Sequence, residues 1–219
     1  MSYNIAIDGP AGAGKSTIAK LVAKERGCIY VDTGAMYRAM ALYLVREGIS
    51  KDTDASEVSK KATGADISIA FEDGVQQVIL NGENVNGLIR TPEVSQMASV
   101  VATNEDVRAY LVSLQQKLAK KADVVMDGRD IGTVVLPDAD TKIYLTASVQ
   151  CRAKRRYDEL IAKGEECDLA ATEKEIEERD YRDMNREHSP LKQADDAIYV
   201  DSSDMTIDEV VERILSLCK

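Results

Sequence analysis

The residues best suited to chemistry lie in Asp8-Gly9-Pro10-Ala11-Gly12-Ala13-Gly14-Lys15-Ser16-Thr17. Residues 9–16 fit G-x-x-x-x-G-K-[ST] at every fixed position. That pattern carries weight only between a strand and a helix, and both flanks are there. Tyr3-Asn4-Ile5-Ala6-Ile7 reads as a short, mostly apolar strand, and Ile18, Ala19, Leu21, Val22 and Ala23 recur at helical spacing until Gly27. Gly9, Gly12 and Gly14 let the backbone curl so that successive N–H groups face an anion. The helix that follows adds its positive N-terminal end. Gly9, Pro10, Ala11, Gly12, Ala13, Gly14, Lys15, Ser16 and Thr17 therefore read as a phosphate cradle. Lys15 would reach the β- and γ-phosphates, and the Ser16 hydroxyl would ligate Mg2+.

Three further clusters join it. Asp32-Thr33 follows a second apolar run, with Arg38 about one helical turn on. Asp127-Gly128-Arg129-Asp130 follows Val124-Val125-Met126. Asp-Gly after a strand is by itself a plain turn. Beside a phosphate loop, Asp127 stands where such enzymes place the carboxylate near the Mg2+ water shell, and Arg129 can face the same site. Finally, Arg179, Arg182, Asp183 and Arg186 fall at i, i+3, i+4 and i+7, on one helix face. An ordinary charged helix would use such a face for solvated ion pairs. Three arginines around one carboxylate also suit a phosphate and a sugar, because guanidinium groups bind phosphate oxygens bidentately. Arg152, Arg155 and Arg156 form a weaker stripe on a helix that leads into polar residues 165–171, a candidate mobile lid.

Arginines converging on a phosphate loop point to phosphoryl transfer between two phosphates. Both polyanions need neutralising, and little general-base chemistry is asked of the protein. A GTPase would need a guanine-reading Asn-Lys-x-Asp, which is absent. A non-catalytic nucleotide-binding regulator could keep the loop and lose the arginines, yet the arginines are here.

The elements that must position these groups form an alternating pattern. Strands are expected at 3–7, 28–31, 122–126, 142–147 and 197–200, alternating with helices except that a loop follows Asp130. Asp32 or Thr33 can cap a helix whose apolar face is Met36, Met40, Leu44 and Val45, stopped at Gly48. Helix formers follow at 52–61. Thr91-Pro92 starts a helix that breaks near 103–106 and resumes to Lys121. Ser148 caps a helix that stops at Gly164. Thr172-Glu173-Lys174-Glu175 reads as a capping box for a helix to about Glu187, and Thr206 caps the last helix. Five short buried strands alternating with helices argue a parallel sheet with helices on both faces. Residues 66–85 differ: Ile67, Ile69 and Phe71 alternate with polar residues, and Asp73-Gly74 and Asn81-Gly82 are hairpin signals. They read as a three-stranded antiparallel insert.

The chain has 219 residues, 44% of them apolar, with no Trp and one Phe, so the core must be mainly aliphatic. That length suits one α/β domain with inserts. A net charge of −10 weighs against holding nucleic acid by bulk electrostatics, but permits a small polyanion in a basic cleft. Cys28, Cys151, Cys167 and Cys218 form no C-x-x-C pair, and His188 is the one histidine, which argues against a zinc site or a disulfide framework. His188 precedes Pro190 by two residues and is given no role. With no leader-like segment and no stretch approaching a membrane span, a cytoplasmic location without membrane partners is expected. A monomer is the default.

The chain closely resembles the bacterial cytidylate kinases (CMP/dCMP kinases) of the nucleoside monophosphate kinase family. The resemblance is carried by residues 7–15, 32–38, 87–91, 126–135 and 178–186. Asp127-Gly128-Arg129-Asp130-Ile131-Gly132-Thr133-Val134-Val135 and the antiparallel insert are specific to that branch. It implies one kinase domain over 1–219, with a monophosphate-binding region at 34–90, an insert at 66–88 and a helical lid at about 152–172. It implies transfer of the ATP γ-phosphoryl group to CMP or dCMP with Mg2+. Residues 9–17 would bind ATP. Ser99, Arg108 and Asp130 would read the cytosine, whose amine and ring acceptors a carboxylate and an arginine can match. Asp183 and Arg179 would hold the sugar. Thr33, Arg38, Arg129 and Arg186 would line the phosphate path, and a lid arginine, Arg155 or Arg156, would bridge the transferring group. Lys15, Arg129, Arg155, Arg179 and Arg186 are thus the expected catalytic set, with Ser16 and, through water, Asp127 at the metal. Thr33 stands where other members carry Ser, a change that keeps the hydroxyl. A related kinase with another acceptor, such as UMP or a small metabolite, is the competing reading.

Overall fold

A computed structural model describes residues 2–218. Five strands form one sheet in the order β2-β6-β1-β7-β8, where β1 is Asn4–Asp8, β2 Ile29–Asp32, β6 Val124–Gly128, β7 Thr141–Thr146 and β8 Ile198–Asp201. β1 runs parallel to β7 with Ile5 beside Thr141, and β7 parallel to β8 with Ile143 beside Ile198. Strands buried on both faces read as near-continuous apolar runs. Ile5, Ala6 and Ile7, like Val124, Val125 and Met126, are almost wholly buried. The second sheet is the antiparallel meander β3 (Ile67–Glu72), β4 (Val75–Leu80) and β5 (Glu83–Asn84). Its register places Ile67 beside Leu80 and Ile79 beside Asn84. Both turns have two successive residues at positive φ, Asp73 and Gly74, then Asn81 and Gly82. That conformation matches the twist of the flanking strands.

The chain divides into two compact units. One is built from Ile29–Val124. Its core gathers on α2 (Thr33–Arg46), where Met36, Met40 and Leu44 are fully buried among residues of α3 (Ala55–Ala62), the meander, α4 (Pro92–Val101) and α5 (Glu105–Ala119). The expected break between α4 and α5 is there. Thr91 caps α4, and Asn104 caps α5 by accepting from Val107 N.

The other unit comprises Tyr3–Cys28 and residues 125–218. It holds β1, α1 (Lys15–Arg26), β7, α6 (Val149–Ala162), α7 (Leu169–Asn185), β8 and α8 (Ile207–Leu217). Ser148 caps α6, and Thr206 with Glu209 forms a capping box on α8. Two local expectations fail. α7 starts one turn early, because Asp168 takes the N-cap by accepting from Ala171 N at 2.8 Å. Thr172 is left inside the helix, its hydroxyl donating to Asp168 O at 2.8 Å, so no capping box forms there. The stretch after Asp130 is not a plain loop but a π-helical turn, Ile131–Val135. All four cysteines are free thiols. Among the described residues no helix is long and apolar enough to cross a membrane.

Candidate active site

The phosphate loop closes between β1 and α1 as its sequence demands. Gly9, Gly12 and Gly14 have φ of 148, 76 and 85°, a region that costs any residue with a Cβ. At Gly9 space forbids a side chain as well, because a Cβ would lie 1.9 Å from Leu145 O. Lys15 is buried, and its Nζ donates to Pro10 O at 2.7 Å.

Ser16 and Asp127, far apart in sequence, meet here: Ser16 Oγ donates to Asp127 Oδ2 at 2.8 Å. A hydroxyl beside a buried carboxylate is an oxygen donor set suited to Mg2+, which takes one or two protein oxygens and completes its shell with water and substrate phosphates. Among the described residues there is no cage of three or more His, Cys, Asp or Glu side chains. The pair fits a metal shared with a phosphorylated ligand.

Asp8, at the end of β1, accepts from Ile131 N at 2.8 Å and Gly132 N at 2.7 Å. It thereby fixes the turn that follows Asp127-Gly128-Arg129-Asp130. Burial pushes its carboxyl up to about 6 against those two hydrogen bonds, and the charge of Asp130 adds to the rise. A Cβ at Gly132 would press on the Lys142 side chain, 3.2 Å from its Cδ.

Two ion pairs connect this loop with α7 and its C-terminal end. Arg129 Nε donates to Asp183 Oδ2 at 2.8 Å, and Arg186 Nη2 lies 3.7 Å from Asp130 Oδ1. Arg186 Nε also donates to Ser189 O. Burial opposes ionisation of Asp183, but Arg129, with Arg179 and Arg186 behind it, holds the carboxyl below its ordinary value. Burial pushes the Lys15 ammonium well below its ordinary value. Arg129 and Arg179 add to that, while Asp127 and Asp8 act the other way. The expected residues Lys15, Ser16, Asp127, Arg129, Asp130, Arg179, Asp183 and Arg186 thus belong to one electrostatically connected cluster.

The lid arginines part company. Arg155 donates to Ser202 Oγ at 3.2 Å and to Ser202 O at 2.7 Å, beyond the end of β8. Arg156 is exposed and pairs with Glu159 at 3.0 Å. Arg152, given only a weak place in the stripe, is the buried one, paired with Asp180 at 2.6 Å.

The remaining expected residues lie in the Ile29–Val124 unit. Asp32 caps α2 by accepting from Ala35 N at 2.9 Å and pairs with Arg90 at 2.9 Å. Gln76 on β4 grips both sides of Asp32: its Oε1 accepts from Asp32 N at 2.8 Å, and its Nε2 donates to Asp32 O at 3.1 Å. Thr33 is buried at the start of α2. The Arg38 guanidinium lies against Gly34, where a Cβ would be 3.3 Å from Nη1. Arg108 is buried, 5.6 Å from the Tyr37 ring centroid, and donates to Ala102 O at 3.2 Å. Ser99 turns its hydroxyl back to Ser95 O at 3.5 Å, inside α4. Sequence reasoning missed Asp8, Tyr37, Gln76, Arg90 and Asp180. Gln76 left the least signal, as a polar residue in a hairpin strand. Arg90 stood within a stretch that carried the resemblance.

A family profile described as "Cytidylate kinase" matches residues 5–219. Proteins named cytidylate kinase are similar along nearly the whole chain. One from Caldicellulosiruptor saccharolyticus is 52% identical over 214 residues, covering 98% of this chain and 94% of its own. One from Listeria innocua is 52% identical over 217 residues, with 98% and 95% covered. One from Geobacter sulfurreducens is 48% identical over 217 residues, with 98% and 92% covered. Among solved structures, a shikimate kinase from Bacteroides thetaiotaomicron superposes with a TM-score of 0.50 at 13% identity, covering 98% of this chain and 97% of that one. At that identity the likeness speaks for the fold alone. The phosphate loop, the Asp127–Asp130 turn and the arginine helix therefore sit in a chain that belongs to the cytidylate kinase family.

Proposed function

We propose that the protein transfers the γ-phosphoryl group of ATP to CMP or dCMP, giving ADP and CDP or dCDP, as a cytoplasmic monomer. The observation that carries this reading is the convergence of Arg129 and Arg179 on an already buried Lys15. So much positive charge at a phosphate loop, only partly offset by carboxylates, suits a polyanionic ligand. The relatives' name supplies the acceptor.

In this mechanism the loop amides of residues 9–17 cradle the ATP phosphates, and Lys15 exchanges Pro10 O for a phosphate oxygen. Ser16, with Asp127 through water, would hold Mg2+, which would supply neutralising positive charge for the phosphoryl group. Arg129, Arg179 and Arg186 line the transferring group and the acceptor phosphate. Their task is positioning and charge stabilisation, since the transition state is loose and spreads charge over its equatorial oxygens. By resemblance, Thr33 and Arg38 bind the CMP phosphate, Ser99, Arg108 and Asp130 read the cytosine, and Asp183 with Arg179 holds the sugar. Arg156, exposed and paired with Glu159, is freer than Arg155 to reach the transferring group on lid closure.

The test is a coupled ADP-release assay with ATP–Mg2+ and CMP, dCMP, UMP, AMP and GMP offered in parallel. Turnover confined to CMP and dCMP supports the acceptor. Turnover with another nucleotide removes the roles of Ser99, Arg108 and Asp130.

A further inference from the structure

A phosphate loop can turn its N–H groups inward only if its carbonyls turn outward and are satisfied there. Two successive carbonyls of this loop are each held by a cation. Pro10 O accepts from Lys15, and Ala11 O accepts from Arg152 Nη1 at 2.9 Å. Arg152 is only 3% exposed, and its other two guanidinium nitrogens are also engaged. Its Nε bonds Ala147 O at 2.9 Å, just past the end of β7, and its Nη2 meets Asp180 Oδ2 on α7 at 2.6 Å. The loop lies directly on this side chain, since a Cβ at Gly12 would come within 3.2 Å of Arg152 Cβ.

One guanidinium therefore connects the phosphate loop, the end of β7 and α7. Asp180 is the neighbour of Arg179 and lies on the same helix as Asp183, so whatever fixes Asp180 fixes the helix that carries the active-site arginine and carboxylate. A planar fork with separate donors is the side chain that can hold three elements at once, and a lysine could not replace it. We propose that Arg152 and Asp180 are a positioning pair that registers the phosphate loop against α7, so that the loop amides and the arginines of α7 address the same phosphoryl group. The proposal rests on the kinase reading above. Both act through the backbone of Ala11 and the placement of Arg179.

A buried ion pair is weak support for stability, and apolar replacement of both partners is often neutral. That separates a positioning role from a structural one. The variants are Asp180→Asn and the double replacement Arg152→Met with Asp180→Leu. The readouts are kcat and KM for ATP and CMP, Mg–ADP affinity by calorimetry, and melting temperature. Asp180→Asn keeps the volume, and its kcat is expected to fall about tenfold with weaker Mg–ADP binding, since a 1 Å misplacement can cost about a hundredfold. The double variant is expected to keep its fold with a somewhat lower melting temperature, because Ala11 O and Ala147 O lose their donor, while its kcat stays down at least about tenfold. Recovery of both melting temperature and kcat in the double variant would overturn the proposal. So would wild-type kcat and Mg–ADP affinity in Asp180→Asn, which decides alone if the double variant does not fold. Wild-type protein inert towards CMP would defeat the acceptor reading instead, and Mg–ADP affinity across the variants would still decide the pair.

Discussion

Asp8 offers a direct check on the electrostatics of the site. An ordinary aspartate titrates near 3.8, whereas burial moves this one to about 6. At about 1.36 kcal/mol per pH unit, the difference amounts to about 3 kcal/mol by which ionisation of Asp8 opposes folding above pH 6. Between the two values the folded chain holds a proton that the unfolded chain releases, so stability falls as pH rises through that window. Lowering the pH from 8 to 4.5 returns about 2 kcal/mol by the same relation. Burial notwithstanding, Asp183 titrates below its ordinary value, so the stability it contributes is lost only as pH falls beneath the carboxylate range, outside the window.

Asp8→Asn removes the proton and with it the slope. It also turns an NH2 towards one of the two backbone donors, Ile131 N or Gly132 N. A buried N–H left unpaired costs about 1–3 kcal/mol, which offsets most of the relief at pH 8. The variant should therefore be within about 2 kcal/mol of wild type at pH 8 and clearly less stable at pH 4.5. Urea midpoints at pH 4.5, 5.5, 6.5 and 8 measure this. With a slope of about 2 kcal/mol per molar urea, the wild-type midpoint should gain about 1 M relative to the variant's from pH 8 to 4.5. Midpoints of the two proteins moving in parallel would refute the assignment of Asp8 as the titrating group.

Lys15→Ala should lower kcat at least about a hundredfold in the ADP-release assay and leave the circular dichroism spectrum unchanged, since it removes charge at the phosphates and lies outside the aliphatic core. Near-normal turnover would sink the mechanism. Asp130→Ala should raise KM for CMP far more than KM for ATP; equal effects would mean Asp130 does not read the base. Asp127→Asn should raise the Mg2+ concentration for half-maximal rate about tenfold to a hundredfold, as loss of an outer-shell carboxylate does elsewhere. An unchanged Mg2+ titration curve would free Asp127 from the metal.

The parts legible in the sequence were those set by local chemistry. Positive φ at Gly12 and Gly14, the paired turn residues of the meander, and the Met36–Met40–Leu44 stripe are each dictated within a few residues. The α7 boundary failed for a local reason too: two capping signals compete, and Asp168 at the helix start outranks Thr172 one turn later. What could not be read are the partnerships between segments far apart in the chain. Nothing near Gln76 announces that it will hold Asp32 across 44 positions, and nothing near Asp8 announces Ile131. Arg152 was visible as a charge and not as an anchor, because its burial depends on Asp180 and on two backbone carbonyls that only the fold brings to it.

An acidic chain that gathers Lys15, Arg129, Arg179 and Arg186 in one place must restrain their repulsion before any ligand arrives. The site does so by pairing. Asp183 holds Arg129, Asp130 faces Arg186, Asp127 and Asp8 act on Lys15, and Asp180 holds Arg152. The pairing is incomplete at Lys15, where burial and the arginines together still disfavour the charged form. A nucleotide phosphate supplies the missing charge there, so its binding favours the ammonium form of Lys15 and frees Arg129 to share between Asp183 and the acceptor. The net charge of −10 therefore does not contradict a polyanion site. The carboxylates that keep the arginines aligned in the free protein are also what lets a nucleotide find them in place.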